Sequence, residues 1–461
     1  MKYISTRNNY KKYNFREVFI RGLAPDGGLY IPLNIPKYSS TKLKKMSNFS
    51  YKEIAEEILS KYCNSAFNKQ EIKEIVKKAY SKFRVKNVVR INKFKDVELL
   101  ELYHGPTLAF KDIAMQIIGN MYDKILKRTD EQINIIVATS GDTGSAAINA
   151  IKGKKKLNIF VLHPYKRISE VQRKFMTTTK NKNVFNLAIK GNFDNCQTLV
   201  KNLFLDKSFN KKINMSGVNS INWARIVAQV VYYFFCYFKK SKKEKKINFS
   251  VPTGNFGDIF AGFIAKKMGL PINKLIIATN KNDILKRVMR SGIYKPKKTH
   301  KTISPSMDIQ VASNFERLLF YLNSGDSKRT LQLMLDLKNK KQFKLNKKQM
   351  KAIDKDFLSE SLSEADTKKV IKNFYKKFKV FIDPHTAIGI GVKDKLNISG
   401  KNIVLATAHA SKFPLSVKKA TGKKPHLPKN INSIMRLKEN YKIFPNNINK
   451  VKKYILNIVE S

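Results

Sequence analysis

Lys111 lies in the run His104-Gly105-Pro106-Thr107-Leu108-Ala109-Phe110-Lys111-Asp112, between a phenylalanine and an aspartate and just after a turn of small residues. A lysine whose amine is kept uncharged can attack an aldehyde and then carry protons to and from neighbouring carbons. The chain is crowded with lysine, so the setting singles this one out and the residue type does not. Asp112 reads as structural.

Two further segments are built for anions. Pro252-Thr253-Gly254-Asn255-Phe256-Gly257-Asp258 follows the apolar run Ile247 to Val251 and opens a helical pattern. Backbone N–H groups at a helix start hold a phosphate monoester well, and glycine lets that backbone come close. An ordinary strand-to-helix turn is the alternative. The segment is neither a Walker loop nor a dinucleotide fingerprint, because Gly-Lys-Ser/Thr and GxGxxG are both missing. Thr139-Ser140-Gly141-Asp142-Thr143-Gly144-Ser145 follows the apolar run Ile133 to Ala138 in the same way. Its hydroxyls and N–H groups suit a substrate carboxylate, and Ser140 or Asp142 can also cap the helix.

The elements that position these segments follow from periodicity. Buried strands are expected at Ile133 to Ala138, Asn158 to Leu162, Val184 to Ile189, Ile247 to Val251, Leu275 to Thr279 and Asn402 to Thr407. Helices are expected between them, at Gly144 to Lys152, Glu170 to Thr177, Asn222 to Phe238 and Phe256 to Met268. This alternation predicts an α/β fold with parallel sheet, whose ligands sit at the carboxyl ends of the strands. Residues 1–95 read as a separate, mostly helical block of turns and amphipathic helices, with Tyr51 to Tyr62 at helical spacing. Residues 96–461 read as the catalytic region, with a small lobe near 115–215 and an outer helical layer near 320–380.

Composition limits the alternatives. The 461 residues are 42% hydrophobic, enough for a full core. The most apolar helical run, Ile226 to Phe238, is interrupted by Gln229 and falls short of the roughly 20 residues a membrane span needs. No apolar leader opens the chain, so a cytoplasmic protein without membrane association is expected. Cys63, Cys196 and Cys236 are far apart and odd in number, which argues for buried thiols and against a disulfide framework or zinc site. The six histidines show no metal spacing. The net charge of +57 comes from lysines spread along the whole chain, with the longest clusters at Lys239 to Lys246 and Lys152 to Lys156. Together with the abundance of Asn and Ile this suggests codon drift rather than a specific nucleic-acid partner, although nonspecific RNA binding at low salt is expected.

In combination the three segments resemble threonine synthases of the longer bacterial and fungal type, over nearly the full length. Gly22-Leu-Ala-Pro-Asp-Gly-Gly-Leu-Tyr-Ile-Pro32 is similar to that family's N-terminal domain, and Asn219-Ser-Ile-Asn-Trp-Ala-Arg-Ile-Val-Ala-Gln229 to another of its signatures. Thr407-Ala-His-Ala-Ser-Lys-Phe-Pro414 departs mildly from the common TAHPAKF at Ala410 and Ser411. The resemblance implies the fold type II of pyridoxal phosphate enzymes, two-lobed like the tryptophan synthase β-subunit. It implies Lys111 as the Schiff-base lysine, Gly254, Asn255, Phe256 and Gly257 around the cofactor phosphate, and Thr407 at the ring nitrogen. Asp142 stands where many fold type II relatives have asparagine, which leaves the partner of the ring 3′-oxygen open.

The reaction it implies converts O-phospho-L-homoserine and water to L-threonine and phosphate, with Thr139, Ser140, Thr143, Asn222 and Arg225 expected around the substrate. Anchoring a helix is an equal alternative for Arg225. A monomer or homodimer is expected. The rival readings are a phospho-lyase of the same fold that releases 2-oxobutyrate, a dehydratase acting on serine or threonine, against which the long N-terminal block argues, and a basic RNA-binding protein on a retired enzyme scaffold.

Overall fold

A computed structural model describes residues 1–240 and 246–460. The expected basic loop after Lys239 therefore lies largely outside the described residues.

The N-terminal block is built from short helices with strong start signals. Asn14, Ser50 and Asn68 each cap a helix and receive a reciprocal bond from Glu17, Glu53 and Glu71 three residues on. Helix Tyr51–Cys63 buries Tyr51, Ile54, Ala55, Ile58, Leu59 and Tyr62, the face its periodicity predicts. A two-stranded pairing of Tyr3–Ser5 with Tyr30–Pro32 closes the block.

The catalytic region contains two large sheets, besides a two-stranded pairing of Ile293–Tyr294 with Phe343–Lys344. The larger has six strands in the order Phe357–Ser361, Ile272–Thr279, Ile247–Pro252, Lys401–Ala406, Val97–Glu101, Arg90–Phe94. All neighbours are parallel except the last two, which form an antiparallel hairpin. The smaller sheet has five parallel strands in the order Lys442–Pro445, Val184–Lys190, Leu157–Pro164, Ile133–Ala138, Met215–Ser216. Every expected strand and helix is present, with boundaries shifted by at most three residues. Helix Trp223–Lys240 is the buried core helix that its composition predicts, and among the described residues no helix is long and apolar enough to cross a membrane.

Three placements differ from the expectation. The hairpin strand Arg90–Phe94 falls within the stretch assigned to the N-terminal block but pairs into the main sheet. The layer near 320–380 is mostly helical, yet it also supplies the edge strand Phe357–Ser361. The last segment of the chain returns to the small lobe. There Lys442–Pro445 adds an edge strand, and helix Ile448–Val459 packs Val451 and Ile455 on the cluster around Leu187 and Leu199. All three thiols are buried and free.

Candidate active site

Parallel strands deliver their carboxyl ends to one edge, so the loops after Ala138, Pro252 and Ala406 meet across the cleft between the sheets. The loop bearing Lys111 joins them by direct pairing. Phe110 N donates to Thr407 O at 2.8 Å and His409 N to Leu108 O at 3.0 Å. Within that loop Asp112 accepts from the Thr107 N–H and from its hydroxyl, each at 2.7 Å. A Cβ on Gly105 would stand 2.4 Å from the Asp112 side chain, so this turn requires glycine. Asp112 thus shapes the turn that aims the neighbouring lysine.

Lys111 opens helix Lys111–Leu126 and is buried. Burial lowers its amine below the ordinary range, against the pull of Asp142, and Arg225 and Lys412 push the same way as burial. The positive end of its own helix also disfavours the cation. Its Nζ stands 3.4 Å from Asp142 Oδ2 and 5.0 Å from the centre of the Phe110 ring. Asp142 opens helix Asp142–Ile151, where a carboxylate is favoured. Burial would raise it, but Lys412 and then Lys111 outweigh that and hold it well below the usual carboxylate range.

The segment Gly254 to Gly257 wraps the start of helix Gly257–Lys267. The N–H groups of these four residues donate to no oxygen of the described residues, which leaves a nest of donors at the positive end of a helix. A Cβ on Gly254 would stand 2.5 Å from Ser306 O. Phe256 holds a left-handed backbone (φ 64°), locked by its buried ring against Phe315 and Phe357. Asn255 O accepts from both the backbone and the side chain of Asn314, at 3.0 and 3.1 Å. Opposite this loop, Thr407 ends the strand Lys401–Ala406, and its hydroxyl makes no hydrogen bond to a described residue.

One cavity is lined by Lys111, Thr139, Ser140, Asp142, Thr143, Arg225, Gly254, Asn255, Phe256, Gly257 and Thr407. Eleven of the twelve residues singled out by sequence therefore converge. Asn222 does not. Its amide donates to Phe19 O at 2.9 Å and its carbonyl accepts from Ala224 N at 3.0 Å, so it anchors the helix Trp223–Lys240 to the N-terminal block. Thr139 lines the cavity, but its hydroxyl oxygen already accepts from Gly141 N and Gly144 N, both at 2.9 Å. The Ser140 and Thr143 hydroxyls make no hydrogen bond to a described residue. Arg225 is buried without a carboxylate partner, its Nε makes no bond, and burial pushes the guanidinium down to about 10. A buried cation without a carboxylate partner at a cavity wall is suited to an anion.

The sequence reading missed other walls. Asn219 and Ser220 line the cavity and begin the very signature that contains Arg225. Asp258 gives one oxygen to the hydroxyls of Tyr232 and Tyr233, at 2.5 and 2.9 Å, and burial raises its carboxyl to about 6. His385 lines the cavity with Nδ1 2.8 Å from Asp383 Oδ1 and no partner on Nε2. The segment Pro305 to Met307 and Ile309 form the floor beside Gly254. Nothing local in the sequence marked these floor residues.

The residues fit pyridoxal phosphate on three counts: a buried amine with a lowered proton affinity, a nest of free N–H groups for the phosphate, and a free strand-end hydroxyl opposite.

Three family models match the chain: "Threonine synthase N terminus" over residues 2–80, "Pyridoxal-phosphate dependent enzyme" over 90–407, and "Threonine synthase, C-terminal" over 386–455. A threonine synthase of Pseudomonas aeruginosa is 41% identical, covering 99% of this chain and 98% of the relative. One from Saccharomyces cerevisiae is 41% identical over 95% and 94%. The solved structure of threonine synthase from Brucella melitensis with pyridoxal phosphate bound superposes over 100% of both chains with a TM-score of 0.96 and 42% identity.

Proposed function

We propose that this chain, which belongs to the threonine synthase family and depends on pyridoxal phosphate, converts O-phospho-L-homoserine and water to L-threonine and phosphate with Lys111 as its catalytic amine. The observation that carries the assignment is the convergence of Lys111 with two helix-start anion nests in one cavity.

When bound, the cofactor supplies an aldehyde for an amine and an electron-poor ring that stabilises negative charge on an adjoining carbon. Gly254, Asn255, Phe256 and Gly257 would hold its phosphate through their free N–H groups, and the Thr407 hydroxyl would serve its ring nitrogen. Lys111 reaches the aldehyde because burial keeps the amine ready to lose its proton. Kept unprotonated by burial, the Lys111 Nζ would take the proton from the substrate α-carbon. Loss of a β-proton would expel phosphate from the γ-carbon, and the same nitrogen could then return a proton to that carbon. The Asp142 and Thr143 N–H groups, which Thr139 does not engage, bind the substrate carboxylate together with the Ser140 and Thr143 hydroxyls. Arg225 holds the substrate phosphate in its unpaired guanidinium, on the cavity wall shared with Asn219 and Ser220. Water then adds at the β-carbon.

The test is a product assay on wild type and Lys111→Ala side by side. Wild type is expected to release phosphate and threonine in equal amounts, and the variant to lose both along with the covalently held cofactor. Phosphate accompanied by 2-oxobutyrate instead of threonine would identify a phospho-lyase. We place the protein in the cytoplasm, as a monomer or homodimer without a specific nucleic-acid partner, and divide it into an N-terminal domain before the hairpin Arg90–Glu101 and a two-lobed catalytic region after it.

A further inference from the structure

Lys412 lies at the end of the turn Ala410–Lys412 that follows the strand Lys401–Ala406. It is fully buried, and for a lysine that demands a complete set of partners. Its Nζ stands 2.8 Å from Asp142 Oδ1, donates to Thr107 O at 2.7 Å, and lies 5.4 Å from the centre of the Phe175 ring. Its carbonyl accepts from Ser169 Oγ at 3.1 Å. One amine therefore ties together the loop that aims Lys111, the loop that carries Asp142 and the segment after Thr407.

Asp142 divides its two oxygens. Oδ1 takes Lys412 and the Gln172 amide, the latter at 3.0 Å, while Oδ2 is left to Lys111 at the longer distance of 3.4 Å. The other charged groups facing Lys111 are Arg225 from helix Trp223–Lys240 and Asp258 from helix Gly257–Lys267. His385, from helix Pro384–Leu396, lines the same cavity. Without Lys412, Asp142 would be a nearly unshared counterion for the Lys111 ammonium. A close, dry ion pair of that kind would hold the proton on the amine that must lose it.

We infer that Lys412 is a positioning residue for the reaction: by occupying one oxygen of Asp142 it stops that carboxylate from pairing fully with the Lys111 nitrogen, which stays free to exchange its proton. The inference rests on Lys111 being the cofactor lysine. It also gives the aspartate at this position a role, since its charge is balanced from within the protein.

The experiment titrates the visible absorbance of the bound cofactor against pH in the holoenzyme. Wild type is compared with Lys412→Met, Lys412→Arg, Asp142→Asn and the Lys412→Met/Asp142→Asn double variant. Lys412→Met is expected to move the midpoint up by about one pH unit or more, a tenfold change in proton affinity. Lys412→Arg keeps the charge and should stay within about 0.3 unit, and Asp142→Asn should move the midpoint down. In the Asp142→Asn background the Lys412→Met shift should fall to about a third or less, because the carboxylate through which Lys412 acts is gone.

Equal shifts in both backgrounds, or no upward shift in Lys412→Met, would overturn the inference. If Lys412→Met does not fold, the charge-keeping arginine and the Asp142→Asn arm decide it. A midpoint that moves with arginine, or fails to fall with asparagine, also overturns it. Borohydride reduction and peptide mass mapping on wild type keep the two readings apart. A cofactor fixed to another lysine would sink the Lys111 assignment itself.

Discussion

Arg225 shows how much of a single residue's role its partners decide. The sequence left it divided between anchoring a helix and binding an anion. The structure gives the anchoring to Asn222, whose amide is spent on Phe19 O and Ala224 N. Among the described residues the Arg225 guanidinium has only a long bond to Val218 O, at 3.4 Å. Arg225→Met is expected to raise KM for O-phosphohomoserine by about 10- to 100-fold, the worth of one or two charge-assisted hydrogen bonds, while the bound-cofactor absorbance stays unchanged. Steady-state kinetics beside an absorbance spectrum checks both halves.

His163 is a different case. It is buried with neither ring nitrogen bonded, and burial pushes it down to about 4. In the unfolded chain the same imidazole takes its proton near about 6.5. Between those values the unfolded state binds more protons, so stability is lost as pH falls from about 6.5 to about 4 and is independent of this group above that window. The loss is about 3 kcal/mol. His409, pushed to about 4 by burial, acts in the same direction, and Asp258, raised to about 6, opposes them. Urea titrations at several pH values should show a flatter acid limb for His163→Phe than for wild type.

Among the elements, the strand-to-helix junctions were legible because two signals coincide there. An apolar run of five or six residues gives way to Gly, Asn, Ser or Thr, and a helical period begins. Ile133–Ala138 into Asp142–Ile151 and Ile247–Pro252 into Gly257–Lys267 are both of this kind. The hairpin Arg90–Phe94 and Val97–Glu101 carried no such mark, because its outer strand is half polar and exposed. Phe357–Ser361 is an edge strand set among basic helices, and its Glu360 is paired with Lys286 and Arg290. What made it a strand is the neighbour Ile272–Thr279, which no local pattern reveals. The cavity floor at Pro305 to Ile309 was hidden for the same reason.

The loop at Gly254 yields a prediction at this scale. Its missing side chain is what lets the loop lie against Ser306 O. Gly254→Ala must open that contact, and overpacking of this kind costs about 1–3 kcal/mol. The strain falls on the phosphate nest, so cofactor affinity should drop by roughly 10-fold or more while the fold survives. Equilibrium dialysis against pyridoxal phosphate measures the first outcome and far-UV circular dichroism the second.

For the molecule as a whole, the N-terminal block is not an appendage. One continuous apolar cluster runs from Tyr3 through Trp223 to Leu405. Arg317, fully buried over the Trp223 ring, donates to Tyr30 O in the block, to Ile221 O beside the cavity, and to the Asn314 side chain that braces the phosphate loop. A block that shares its core with the catalytic region should not unfold by itself. Calorimetry is therefore expected to give one transition in which signals from both parts coincide, and Arg317→Met should lower its midpoint and weaken cofactor retention together. Two separated transitions would contradict this. The composition that set residues 1–95 apart reported a change of helix and strand pattern, and it said nothing about where the core is continuous.

The return of the chain's end to the small lobe has a consequence for synthesis. Among the described residues, the outer edge of Val184–Lys190 is covered only by Lys442–Pro445. A ribosome adding about 5–20 residues per second needs on the order of 10–50 s to make the stretch between them. Throughout that interval the emerging polypeptide carries an unfinished sheet with bare hydrogen-bonding groups along one side. A truncation that removed Lys442–Pro445 would leave that edge bare in the finished protein as well.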